Sequence, residues 1–219
     1  MIKSKANKML ADRLKIVDRY LCAKEIVIKK GFAKEIDWQN EIQLSKINEA
    51  YFLKEAAWVV LSSGMREYVI RKKFPDISSA FYFWQSSKLI VKNREKCKKH
   101  ALEVFCHQKK INAIVEIAEI ILKNGFNSIK SHIQKSGVEF IQTMPFMGPA
   151  TSYHLAKNIG LDVVKPDRHL LRVADSTGFN NPHALCETIS EVVGDRISVI
   201  DLVIWRFATL NPKYTEYFS

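Results

Sequence analysis

The chain has 219 residues, 47% of them hydrophobic, enough to bury one large domain or two small lobes. Thirty-four Lys and Arg against 23 Asp and Glu leave a net charge of +11, which favours a polyanionic partner. The four cysteines (Cys22, Cys97, Cys106, Cys186) form no CxxC pair, no run of 18 apolar residues occurs, and the lysine-rich start is amphipathic. These features argue against a disulfide framework, a membrane-spanning helix and a secretory leader. Cys97-x-x-His100 and Cys106-His107 have zinc-ligand chemistry, but adjacent residues on a helix point about 100° apart, so no metal is expected.

In chain order, residues 6–30 read as an amphipathic helix with Leu10, Leu14, Val17 and Leu21 on one stripe and Gly31 as its stop. Nine Lys and Arg against three Asp and Glu in residues 1–30 suit a DNA-facing surface or a solvated outer face. The stretch Ile36–Ile47 is mixed, with Trp38 as its core anchor. Residues 52–63 form a strongly apolar helix. Gly64 interrupts it, and Met65–Phe74 resumes helical spacing and stops at Pro75. The cluster Phe81-Tyr82-Phe83-Trp84 fits core packing more readily than a platform for a flipped base.

Residues 88–110 hold eight basic side chains (Lys88, Lys92, Arg94, Lys96, Lys98, Lys99, Lys109, Lys110) that helical spacing spreads over more than one face. A helix over 109–123 (Ile111, Ile114, Val115, Ala118, Ile121, Leu122) ends at Gly125, and another over 126–143 runs into Pro145-Phe146-Met147-Gly148-Pro149. Pro149 suits the first position of a new helix, and Gly160 its left-handed stop. Asp167 follows Pro166 at the head of a helix over 168–176 that ends near Gly178. Asn180-Asn181-Pro182 opens the next, which Gly194 ends, and a last helix, Ile197 to Leu210, carries Asp201 and Trp205. Every segment has helical periodicity, so an all-α fold is expected.

A helix, a tight hairpin and a second helix aim several backbone N–H groups and a helix dipole at one spot, a natural seat for a phosphate. The stretch Thr143–Arg172 resembles the helix-hairpin-helix motif of the DNA glycosylase superfamily that includes endonuclease III and adenine DNA glycosylase. In that family a Leu-Pro-Gly-hydrophobic-Gly hairpin grips a DNA phosphate, and an aspartate about twenty residues later performs the chemistry. Met144-Pro145-Phe146-Met147-Gly148 matches the hairpin, with Phe146 in place of the first glycine. Asp167, nineteen residues after Gly148, matches the aspartate.

The resemblance implies a two-lobed helical architecture. One lobe would comprise residues 1–62 and 166–219, and an inner lobe residues 63–165 with the motif at about 137–160. The base pocket would lie in the cleft between them, with Trp205 packing between lobes. Pro145, Phe146, Met147, Gly148 and Ala150, with Arg168 and His169, would contact DNA, and Asp167 would be catalytic. The family's Leu-Ser-Ala-Gln-like turn aligns with Leu61–Arg66, where the wedging glutamine falls on Gly64. That leaves Ser63, Gly64, Met65 and Arg66 as pocket or wedge candidates. The lysine nucleophile of members that also cut the backbone aligns with Ala150, which implies a monofunctional enzyme.

The four-cysteine iron–sulfur loop of endonuclease III has no counterpart, because Cys186 is the only cysteine beyond Cys106. No cofactor is expected, though the hairpin leaves room for a monovalent cation. The Phe-x-Gly-Pro wording is also similar to the constitutive bacterial 3-methyladenine glycosylase, whose terminal Cys/His zinc ligands are not matched. The implied role is base-excision repair by a monomer acting on duplex DNA with a damaged or modified base, in the cytoplasm at the nucleoid and away from membranes. Oxidised, alkylated, mismatched and hypermodified bases all stay open as substrates. Two rival readings carry no catalysis: a helix-hairpin-helix DNA-binding module in which Asp167 is only an N-cap, and an all-α interaction protein.

Overall fold

The computed structural model describes the backbone of residues 2–219 and the side chains from residue 13 onward. In chain order the helices are α1 (Ile2–Val27), α2 (Ala33–Glu41), α3 (Glu49–Ser62), α4 (Glu67–Ala80), α5 (Ser87–Lys92), α6 (Arg94–Val104) and α7 (Gln108–Asn124). They continue as α8 (Phe126–Gln142), α9 (Pro149–Asn158), α10 (Arg168–Ser176), α11 (Pro182–Val193), α12 (Ile197–Leu210) and α13 (Tyr214–Phe218). The fold is all-helical, with no strand among the described residues. None of the described helices is long and apolar enough to cross a membrane.

Two compact units form, one from residues 1–42 and 162–219 and the other from 43–161. The chain therefore changes unit at 42/43 and 161/162, rather than at the 62/63 and 165/166 boundaries drawn from sequence. The first difference has a plain cause: α3 is apolar on most of its surface and packs on α7, α9 and α4 of the second unit, which makes it a central helix there.

The first unit is built round α12, whose Val199, Ile200, Val203, Ile204 and Phe207 meet Ile16, Tyr20, Ala23 and Val27 of α1 and Leu185 and Ile189 of α11. The buried face of α1 is thus not the leucine stripe expected. Leu14 and Leu21 are 51% and 43% exposed, Val17 is buried, and Leu10 lies outside the described side chains. An aromatic residue and an alanine, Tyr20 and Ala23, make the contact instead, and burial with a hydrogen bond to Asp195 raises the Tyr20 pKa. Trp38 is only half-buried, and Ile36 takes the anchoring role. Trp205 is half-buried against the same core.

Polar ties inside this unit are specific. Arg206, 7% exposed, grips Glu35 with N–O distances of 2.7 to 3.0 Å, and its guanidinium lies 4.3 Å from the Phe32 ring centre and 4.6 Å from that of Trp205. Arg196 donates from Nη1 to the carbonyls of Gln39, Asn40 and Ile42, each at 3.2 Å, while its Nε stands 3.7 Å from Asp162 Oδ1.

The second unit centres on α3 and α7, with Phe52, Leu53, Ala56, Val59 and Val60 facing Ile111, Ile114, Val115 and Ala118. Helix α4 does not stop at Pro75 as its sequence led us to expect; it runs to Ala80. Pro75 lies on the exposed side of the helix, while Ile70, Ile77 and Ser78 keep the inner face anchored. The Phe81–Trp84 cluster divides. Phe81 and Trp84 stack in the core at 5.1 Å, with Trp84 Nε1 donating to Ser78 Oγ, while Phe83 is 65% exposed on a left-handed turn.

Helix α8 kinks at Gly137 (φ 54°), so a short final segment delivers the chain to the hairpin. At the far end of α9, Gly160 (φ 97°) sits directly on the backbone of Gln43 and Leu44.

Candidate nucleic-acid interface and carboxylate corner

The hairpin is shaped by two buried methionines, Met144 and Met147, which pin its ends to the core of the second unit. Between them Met147 N–H donates to Met144 O at 3.1 Å, closing a four-residue turn with Pro145 second and Phe146 third. Phe146 has φ 66°, the left-handed conformation that glycine adopts without strain. Phe146 therefore holds a glycine-like backbone at a cost of about 1–2 kcal/mol, and 37% of it faces solvent.

Gly148 then precedes Pro149 at the first position of α9, and Ser152 N–H makes the first helical bond, to Gly148 O at 3.0 Å. The N–H groups of Gly148, Ala150 and Thr151 find no acceptor among the described residues and face outward past the helix end. Thr151 Oγ1 donates to Phe146 O (3.0 Å) and Gly148 O (3.2 Å), bracing the loop.

The Ser63–Arg66 turn belongs to the same unit, and the structure brings it close to the hairpin through Lys110, one of the eight basic residues of the 88–110 stretch. Lys110 is 3% exposed, and its Nζ donates to Leu61 O at 2.7 Å and Ser63 O at 2.6 Å. The same Nζ lies 5.8 Å from the ring centres of both Phe105 and Phe146. Burial lowers the Lys110 pKa to about 8. Gly64 (φ 68°) gives the turn its left-handed residue, and Met65, 40% exposed, and Arg66 project from it. A signal for Lys110 was present: it stands four residues before Ile114 and seven before Ile117, a cation on the apolar stripe of α7.

Asp167, Arg168 and His169 belong to the first unit and are described within it. Asp167 is the N-cap of α10: its Oδ1 accepts from the N–H of His169 (2.9 Å) and Leu170 (3.1 Å). Its Oδ2 stands 3.9 Å from Lys165 Nζ, and the Asp167 side chain is 14% exposed.

The approach to Asp167 is held from behind. Asp201, 1% exposed on α12, accepts Lys165 N–H at 2.5 Å, Asp167 N–H turns back to Lys165 O at 2.8 Å, and Asp162 Oδ1 accepts Ser198 N–H in the first turn of α12. A carboxylate set among Val199, Ile200, Leu202 and Val203 was the sequence signal for this anchor. Asp201→Ala, which takes the acceptor from Lys165, is expected to lower unfolding free energy by about 1–3 kcal/mol, and Asp201→Asn, which keeps a carbonyl oxygen there, by less. Urea denaturation of the two variants checks the order; equal losses would mean the hydrogen bond does not matter.

His169 lies edge-on to Tyr214 with ring centres 5.3 Å apart, and its Nε2 accepts from Arg168 Nε at 3.3 Å. Its Nδ1 is buried and without a hydrogen-bond partner among the described residues. Desolvation lowers the His169 pKa against the opposing pull of Asp167. Arg168 is exposed, and Arg172 Nη1 reaches Tyr214 Oη at 3.5 Å. Cys97 is buried and Cys106 exposed, and no group of three metal-ligating side chains forms among the described residues.

Comparison of the chain with protein-family models, with curated proteins and with solved structures finds no match.

Proposed function

We propose that the chain is a DNA N-glycosylase of the helix-hairpin-helix type, acting on a damaged or modified base in duplex DNA and leaving an abasic site. The observation that carries the reading is the hairpin itself. A turn with a glycine-like backbone at Phe146 ends in three outward N–H groups at the head of α9, in a chain of net charge +11.

Breaking the bond between the base and C1′ of the sugar develops positive charge on C1′ and the ring oxygen. Water then supplies the hydroxyl, and the base leaves with a proton. Asp167 suits this work because only Oδ1 caps the helix, which leaves Oδ2 to face the cation or to orient the water. With Ala150 at the position of the family's lysine, no amine stands there to form a Schiff base. Exposed Arg168 and half-buried His169 would flank the strand beside Asp167.

One observation favours a second reading, a non-catalytic DNA-binding module: capping α10 is by itself a sufficient structural reason for Asp167.

A panel of end-labelled duplexes, each with one altered base, separates the two. A glycosylase gives strand breaks at one substrate only after hot alkali. A binding module retains the duplexes and releases no base. Either way affinity is expected to fall steeply with salt, with a slope of about −0.9 per phosphate neutralised. Salt-independent affinity, or none, would sink both readings and leave an all-helical interaction protein.

A further inference from the structure

Lys110 differs from the other seven basic residues of the 88–110 stretch, because its charge is spent inside the protein. At the end of α3, Ser62 O accepts Met65 N–H, and the neighbouring carbonyls of Leu61 and Ser63 take two of the three ammonium protons of Lys110. The rings of Phe105 and Phe146 flank the same nitrogen, so the ammonium is enclosed on all these sides and at 3% exposure has no open path to a phosphate. One end of its reach fixes the turn that holds out Met65; the other borders the aromatic tip of the hairpin.

We infer that Lys110 is a positioning residue that sets the Ser62–Arg66 turn, and with it the Met65 side chain, against DNA held by the hairpin; this rests on the DNA-glycosylase reading above. The exposed Met65 is an apolar wedge of the kind that enters a base step, and Lys110 fixes where it points. A main-chain clamp of this sort works by orientation, and misplacing a reacting or unstacking group by about 1 Å costs on the order of 10²-fold in rate.

The test uses the full chain and a duplex with a tetrahydrofuran abasic-site analogue opposite 2-aminopurine, a probe that does not depend on which base is excised. Wild type is expected to bind it with a change in 2-aminopurine fluorescence as Met65 enters the gap. Lys110→Met, which fills the same space without donors, is expected to keep the affinity within about threefold and the slope of log affinity against log salt unchanged, because no phosphate contact is lost. Its fluorescence response should fall several-fold, and Lys110→Arg should restore part of it. Met65→Ala should lose the same response with unchanged thermal stability, which keeps the inference testable if Lys110→Met folds poorly.

A salt slope shallower by about one in Lys110→Met, with the fluorescence response intact, would overturn the inference in favour of a phosphate contact. A full response in both Met65→Ala and Lys110→Met would overturn it in favour of a purely structural cap on α3. Failure of the wild type to bind the duplex at all would remove the DNA reading itself, a result distinct from either.

Discussion

Asp167→Asn is expected to reduce base release under single-turnover conditions by about 10²–10⁴-fold while leaving DNA affinity and folding stability close to wild type. The two halves of this expectation come from the two oxygens of one side chain. Oδ1 accepts from His169 and Leu170 N–H, a task the asparagine carbonyl performs equally well, since asparagine and aspartate are equivalent N-caps. Oδ2 carries the charge that faces Lys165 at 3.9 Å, and in the asparagine variant an uncharged amide takes its place. Asp167→Ala removes both, so it should lose activity to the same degree and about 1 kcal/mol of stability besides. Rates from quenched single-turnover assays, set beside urea denaturation, read out the pair. An asparagine variant that releases base at the wild-type rate would reduce Asp167 to a cap and move the assignment to the binding module.

Gly160→Ala is expected to be the most damaging single methyl addition in the second unit, at about 2–5 kcal/mol. Its φ of 97° already disfavours any side chain, and an added Cβ would stand 2.7 Å from Gln43 Cα and Leu44 N and 2.8 Å from Gln43 C. These are backbone atoms, which cannot swing aside as a lysine tip can. Gly194→Ala is the control: φ is 75°, nothing lies within 4 Å of the added carbon, and only the left-handed cost of about 1–2 kcal/mol applies. The midpoints and slopes of denaturant curves for both variants give the comparison. Equal losses would mean that the 43–44 segment yields.

Local chemistry accounts for what the sequence revealed. Gly125, Gly160 and Gly194 end helices because each supplies a positive φ, Pro149 and Pro182 begin them, and Asp167 and Asn181 cap them through their own side chains. Each of these is decided within four residues of chain. What stayed hidden depends on partners distant in sequence. The buried face of α1 is chosen by α11 and α12, and a leucine count on α1 cannot reveal that Tyr20 has Asp195 as its partner. The passage of α4 through Pro75 depends on that residue facing water. Lys110 and Asp201 were visible as charges on apolar stripes, but their acceptor and donor, the carbonyls of Leu61 and Ser63 and the amide of Lys165, are backbone groups with no signature in the residue names.

The Arg196 guanidinium, by gathering Ile42 O and Asp162 Oδ1, holds side by side the two points where the chain leaves the first unit and returns to it. Gly160 does the same for the second unit by resting on Gln43 and Leu44. Residues 43–161 are therefore wired as a domain insertion, a loop of 119 residues whose ends meet on both sides of the junction. Closing so long a loop costs only logarithmically more than closing a short one, so the second unit can fold first as a continuous segment and so bring the halves of the first together. The same adjacency makes a few glycine and serine residues sufficient to rejoin Ile42 to Asp162 or Gly160 to Gln43, and it makes the 42/43 and 161/162 junctions the natural places to open a circularly permuted chain.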